Sequence, residues 1–199
     1  MVKAILFDYG GVMTEGGRGG ELVQKLGEVL QVDDAAATHL FESVWSRFTH
    51  GTISESALWE IIESATGLSV PQSKRAIWNT WPHMRPYPQM VGLIADLKKR
   101  GYMVGLLSNT VAVTSKAIQE HGGYDGFEPL ILSYQVGLAK PEPEIYEYAE
   151  NQLHGIKPEE ILFIDDQERC LEPAKRRGWQ TIMALSPEQI TTDIEKIIS

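Results

Sequence analysis

Four short stretches of this 199-residue chain set reactive side chains beside turn-forming neighbours. Asp8 ends an apolar run and is followed by Tyr9, Gly10 and Gly11, while Ser108, Asn109 and Thr110 follow a second apolar run. Lys140 stands in Gly137-Leu138-Ala139-Lys140-Pro141, and Asp165-Asp166 closes the run 161–164. These residue types meet the demands of phosphoryl transfer, which needs a nucleophile, cationic neutralisation and hydrogen-bond donors for charge spread over several oxygens. Asp8 is the candidate nucleophile: its carboxylate can attack phosphorus, and water then releases phosphate from the aspartyl-phosphate. Lys140 supplies a fixed positive charge for catalysis and phosphate binding. Ser108, Asn109 and the backbone amides after them can hold phosphate oxygens, helped by a helix N-terminus.

Three carboxylates drawn to one place repel each other unless a divalent cation sits among them. Hard oxygen ligands that leave room for water and a phosphate suit Mg²⁺. The expected ligands are Asp8, Asp166 and a backbone carbonyl near Gly10, with Asp165 beside or behind them.

Side chains so far apart in sequence meet only if the fold brings strand ends together. Residues 2–8, 102–107, 129–132, 161–164 and 181–185 read as strands, with helices at 89–100, near 111–120, 143–154 and 168–177 between them. That alternation predicts an α/β fold with a Rossmann-like, doubly wound parallel sheet, whose ligands gather at the carboxyl ends of the strands. Residues 15–87 differ in character. After a glycine-rich loop at Gly16, Gly17, Gly19 and Gly20, apolar residues recur at helical spacing: Leu22, Leu26, Val29 and Leu30, then Phe41, Val44 and Phe48, then Leu58, Ile61 and Ile62. Asp33 or Asp34 and Ser54 are the candidate N-caps, Gly51 and Gly67 the candidate stops. Pro82, Pro86 and Pro88 mark the return. The expected division is a catalytic core over 1–14 and 88–199, with an all-helical cap over 15–87 inserted after the first strand.

Eighteen Lys and Arg against 27 Asp and Glu leave a formal charge of −9, which repels nucleic acid and anionic membrane surfaces. No apolar run approaches the length of a membrane span. The single cysteine, Cys170, excludes an intramolecular disulfide, and with no secretory signal pattern at the start a cytoplasmic location is expected. The expected partner is a small phosphorylated metabolite.

The stretches Phe-Asp8-Tyr-Gly-Gly-Val, Leu-Leu-Ser108-Asn109-Thr, Gly-Leu-Ala-Lys140-Pro-Glu-Pro and Phe-Ile-Asp165-Asp166 resemble the four ordered motifs of the haloacid dehalogenase superfamily. The resemblance spans almost the whole chain, and the helical insertion is similar to the helical cap of that superfamily's first subfamily. Within it the sequence looks closest to bacterial sugar-phosphate phosphatases and the N-terminal phosphatase domain of soluble epoxide hydrolases. The resemblance implies a Rossmann-like core, Mg²⁺, a phosphorylated Asp8 and small organic phosphates, with a cap that closes over the site and selects the leaving group.

The sequence departs from that pattern in two places. Phosphatases of the superfamily carry a second Asp two residues after the nucleophile, as acid and then base; here Gly10 stands there. Cys170 lies near the place expected for the final acid of the fourth motif. The expected consequence is a preference for phosphates whose leaving group needs little protonation, such as anomeric sugar phosphates or acyl phosphates. His50 and Glu15 are the alternative proton donors. Cys170 is read as an inert thiol, Trp45, Trp59, Trp78 and Trp81 as packing in or under the cap, and Arg18, Arg47 and Arg85 as surface cations. Two rival functions remain: metal-free dehalogenation of a small haloacid, which would gain nothing from the adjacent acids Asp165 and Asp166, and a degenerate protein that binds a phosphometabolite or a partner protein without turnover.

Overall fold

The computed structural model describes residues 1–16, 19–78 and 84–199, with the side chains of 19–21 and 78 outside that description. Gly17, Arg18, Trp81, Pro82 and the Trp78 side chain therefore lie outside the described residues.

Strands β1 (Ala4–Phe7), β2 (Met103–Ser108), β3 (Leu130–Leu132), β4 (Ile161–Asp165) and β5 (Gln180–Met183) form one parallel sheet in the order β3-β2-β1-β4-β5. A parallel sheet is covered on both faces, so its strands carry unbroken apolar runs; every residue of β1 and of β4 is buried. Side chains alternate between the faces. Ile5 and Phe7 join one core with Met90, Ile94 and Leu97 of α4 (Pro88–Lys99), Ile118 of α5 (Ala112–Glu120) and Ile190 and Ile194 of a C-terminal helix, Pro187–Ile198. Ala4 and Leu6 face the other core, with Ile145, Tyr146 and Ala149 of Pro143–Gln152 and Leu171 and Ala174 of Glu168–Arg176.

Between β1 and α4 come α1 (Gly19–Leu30), α2 (Asp34–Thr49) and α3 (Glu55–Thr66). Their apolar stripes meet in a third cluster that includes Leu26, Phe41, Val44, Phe48, Leu58, Trp59 and Ile62. Asp33 accepts a hydrogen bond from the Ala36 amide and Ser54 from the Ala57 amide, so both expected N-caps are in use; such a cap typically contributes about 1 kcal/mol. Gly67 ends α3 in the left-handed region at φ 70°. Trp59 is buried in this cluster.

Three local expectations are corrected. Gly19 and Gly20 belong to α1 rather than to a loop, because the apolar stripe through Leu22 and Leu26 carries the helix past the glycines. β5 stops at Met183, leaving Leu185 exposed. Two helices were not anticipated: α6 (Ser133–Val136), one turn after β3, and the C-terminal helix. With α6 placed, the helices Pro143–Gln152, Glu168–Arg176 and Pro187–Ile198 are α7, α8 and α9. Ser186 caps α9 through the Gln189 amide, and Ile190 and Ile194 supply its buried face. Among the described residues no helix is long and apolar enough to cross a membrane.

Candidate active site

β1 lies at the centre of the sheet, hydrogen-bonded to β2 on one side and β4 on the other. The chain winds outward in both directions from this point, so the loops leaving the carboxyl ends part and open a crevice there. Phe7 is level with Leu106 and with Ile164, and the Asp8 amide donates to the Ile164 carbonyl at 2.8 Å. Asp8 therefore stands beside Asp165, with Ser108 just beyond on the other flank.

A cleft of about 250 Å³ opens over these strand ends, lined by Asp8, Gly10, Ser108, Asn109, Lys140 and Asp166 among others. The fold thus brings together six of the seven expected site residues around one space. The seventh, Asp165, is fully buried behind them, and carboxylate oxygens of Asp8, Asp165 and Asp166 lie within 4.8 Å of one another.

Lys140 is buried, with its Nζ 2.6 Å from Asp165 Oδ2 and 3.0 Å from Asp8 Oδ1, and 5.3 Å from the centre of the Phe163 ring. Burial alone would lower the Lys140 value, but the charges of Asp165 and Asp8 outweigh it and hold the ammonium protonated. The Asp8 carboxyl is raised to about 6, because burial, reinforced by the charge of Asp165, outweighs the pull of Lys140. Three carboxylates stand within reach of one another while the buried ammonium contacts two of them, and a divalent cation is a group that balances such a cluster. The backbone makes room for one of these acids. Gly11 has φ 75°, and a Cβ on it would stand 2.3 Å from Asp166 Oδ2. The donor set, all hard oxygen, and the glycine cradle both fit Mg²⁺.

The loop that carries Lys140 is held by Asn109. Its side-chain amide donates to the Lys140 carbonyl at 2.7 Å, and its Oδ1 accepts from the Lys140 amide at 2.9 Å. Both ends of that side chain are thus engaged with backbone. A second clamp sits beside it: Ser133 Oγ, at the start of α6, accepts from the Thr110 amide and donates to the Thr110 carbonyl, each at 3.0 Å. The short helix that sequence periodicity passes over therefore positions the backbone after Ser108.

Neither alternative proton donor lines the cleft. His50 is bound to the Ser46 carbonyl and to Glu142, and Glu15 lines a different crevice with Tyr87 and Ser186. Among the described residues lining the cleft, the only carboxyls are Asp8 and Asp166. Burial pushes the Tyr9 phenol well up and that of Tyr124 to about 12. Cys170 also lines the cleft, but burial pushes its thiol up to about 11, so it stays neutral at physiological pH. Arg47 and Arg85 are exposed and do not line the cleft. Trp45, on α2, does line it, stacked on Phe41 at 4.5 Å between ring centroids, so the helical insertion reaches the site. Gln167 and Arg169 line it as well, two residues that the motifs alone do not single out. The available signal was their position just after Asp166, at the entry to α8.

With fold and cleft in view, comparison with known proteins places the chain. Residues 2–178 match the family of haloacid dehalogenase-like hydrolases, and the chain belongs to that family. It is 29% identical over 195 residues to the D-ribitol-5-phosphate phosphatase of Bacteroides thetaiotaomicron, covering 91% of each chain. It is 28% identical over 102 residues to the glyceraldehyde 3-phosphate phosphatase of Methanopyrus kandleri, covering 50% of this chain and 43% of that one. The chain thus spans under half the length of that relative. A crystal structure of a haloacid dehalogenase family enzyme from Bacteroides thetaiotaomicron, in complex with magnesium and inorganic phosphate, superposes with a TM-score of 0.75 at 26% identity, covering 92% of this chain and 93% of that one.

Proposed function

We propose that this protein is a Mg²⁺-dependent hydrolase of small phosphate monoesters, with Asp8 as the nucleophile. The observation that carries this reading is the cluster of Asp8, Asp165 and Asp166 around a single buried lysine at the central strand ends. Relatives named as sugar-phosphate phosphatases support it.

Asp8 Oδ1 is held by Lys140, leaving the other oxygen to attack phosphorus. The P–O bond to the leaving group breaks as the Asp8–phosphorus bond forms; water then attacks phosphorus and frees Asp8. Asp8, Asp166 and the Gly10 carbonyl would hold the metal, which when bound neutralises charge on the phosphate. Asp165 is a positioning residue: Oδ2 holds Lys140 and Oδ1 accepts the Gln167 amide at 2.8 Å. Lys140 has three donors, two of them directed at carboxylates, and the third is available to a phosphate oxygen. Ser108 and the backbone amides after it receive the other oxygens, while Asn109 acts by clamping the Lys140 loop. The helices within 15–87 act as a cap, with Trp45 as its contact to the leaving group.

Among the described residues no carboxyl beyond Asp8 and Asp166 lines the cleft to protonate the leaving oxygen, since Gly10 occupies the usual place and neither His50 nor Glu15 lines it. General acid help is typically worth about 10²- to 10⁴-fold. The preferred substrates are therefore esters with weakly basic leaving groups, anomeric or acyl phosphates among them.

The test is phosphate release from 4-nitrophenyl phosphate with Mg²⁺ and after chelation, followed by a series of esters of rising leaving-group basicity. Release that needs Mg²⁺ and falls as basicity rises supports both parts of the reading. Equal efficiency on simple alkyl phosphates refutes the second part, and turnover of haloacids that survives chelation refutes the first.

A further inference from the structure

We infer that Arg169 forms a second anion-binding point in the same cleft, selecting phosphate esters whose leaving group carries its own carboxylate or phosphate. This inference deepens the phosphatase reading and rests on it.

Arg169 lies in the first turn of α8, three residues after Asp166, and lines the cleft that holds Asp8 and Lys140. Its Nε donates to Gln167 Oε1 at 2.9 Å, while the Gln167 backbone N–H donates to Asp165 Oδ1 at 2.8 Å. Its two terminal nitrogens make no hydrogen bond or ion pair among the described residues. Of the other cations of this segment, Lys175 is paired with Glu168 and Glu172 and Arg177 with Glu150, while Arg176 makes no ion pair among the described residues but does not line the cleft. Arg169 is exposed, and unlike the other exposed cations that make no ion pair among the described residues it lines the cleft, where its terminal nitrogens can meet an anion. Its planar fork matches a carboxylate or phosphate through two parallel hydrogen bonds.

The cleft limits what can reach it. At about 250 Å³ it falls below the usual size of a small-molecule pocket, about 300 to 1,000 Å³, so the leaving group is small and its second charge lies close to the ester. Trp45 and Met84 give the same cleft an apolar wall for the atoms between the two anions. Lys140 and the metal ligands serve the ester phosphate, and Arg169 the other end.

Two measurements test this. The first is calorimetric binding of 3-phosphonopropionate and of propylphosphonate, which differ by a carboxylate against a methyl group and cannot be hydrolysed, to Mg²⁺-loaded wild type, Arg169→Ala and Arg169→Lys. The second is kcat/KM for α-D-glucuronate 1-phosphate against α-D-glucose 1-phosphate, a pair sharing one kind of leaving oxygen. Wild type is expected to favour the carboxylate-bearing member about tenfold or more in both, from one charge-assisted contact. Arg169→Ala should bring both ratios close to one, and Arg169→Lys should restore part of them. A wild-type ratio near one, or a ratio unchanged in Arg169→Ala, overturns the inference. Failure of the phosphatase reading looks different: phosphonate discrimination persists while neither sugar phosphate releases phosphate.

Discussion

Gly11 shows how narrowly the site is built at the scale of single residues. Its φ of 75° lies where a side chain costs roughly 1 kcal/mol or more, and the space a Cβ needs is occupied by the Asp166 carboxylate. Gly11→Ala is expected to displace Asp166 and weaken Mg²⁺ binding about tenfold or more, with a smaller loss of stability. A metal titration beside a denaturation curve checks this, and unchanged affinity would show that Asp166 does not need that space. Residue types and spacing made Asp8, Ser108, Asp165 and Asp166 legible before the fold was known, because each closes an apolar run that reads as a strand, while Lys140 stood out by its place in Gly137-Leu138-Ala139-Lys140-Pro141. The partition of roles among them was not legible. That Asn109 is occupied with the Lys140 backbone, or that Asp165 lies behind rather than beside Asp166, depends on side-chain directions that spacing does not carry. Arg169 escaped notice because a lone arginine on a charged helix has no signature until the cleft is seen to reach it.

Among the elements, the contact between the end of α2 and the start of α7 carries a charge that responds to pH. His50, at the end of α2, has its Nδ1 2.6 Å from the Ser46 carbonyl and its Nε2 2.9 Å from Glu142 Oε2. Both partners are acceptors, so the geometry calls for a proton on each nitrogen and hence an imidazolium. Burial lowers the His50 value, but hydrogen bonds to Glu142 and Ser46 outweigh it and raise it above 6.5. Glu142 also accepts from the Ala139 amide, within the loop that carries Lys140. A histidine raised in the folded state stabilises fully below its unfolded value and loses that contribution as pH rises through the folded value. The His50 ring is therefore expected to titrate above 6.5 by NMR, and to return toward 6.5 in Glu142→Gln. Identical titration in both proteins would show that the pair is not formed in solution.

The elements themselves were readable to different depths. The strands of the parallel sheet are buried on both faces and announce themselves as apolar runs, and α1 to α3 show clear stripes. β5 and α9 were harder. The run into Leu185 continues apolar past the point where pairing stops, and α9 follows a Ser186-Pro187 start that reads as easily as a turn. α6 is too short for any periodicity to show.

For the whole molecule, folding is what concentrates negative charge at the sheet edge, and a cation that binds only the folded form stabilises it by mass action. At about 100 times its dissociation constant such a ligand adds about 2.7 kcal/mol. For a chain of 199 residues this corresponds to a rise in Tm of about 5 to 10 °C. Mg²⁺ should produce that rise in wild type and much less in Asp166→Asn. A flat response in wild type would mean that Lys140 alone balances the cluster.

The phosphoryl acceptor is the point on which the account turns. Mg²⁺-loaded protein turning over 4-nitrophenyl phosphate, quenched in acid within milliseconds and mapped by peptide mass spectrometry, should carry the phosphoryl group on the peptide containing Asp8. Asp8→Asn should carry none and lose turnover by about 10³-fold or more. A phosphoryl group found on another side chain, or an Asp8→Asn protein that works at the wild-type rate, would contradict it.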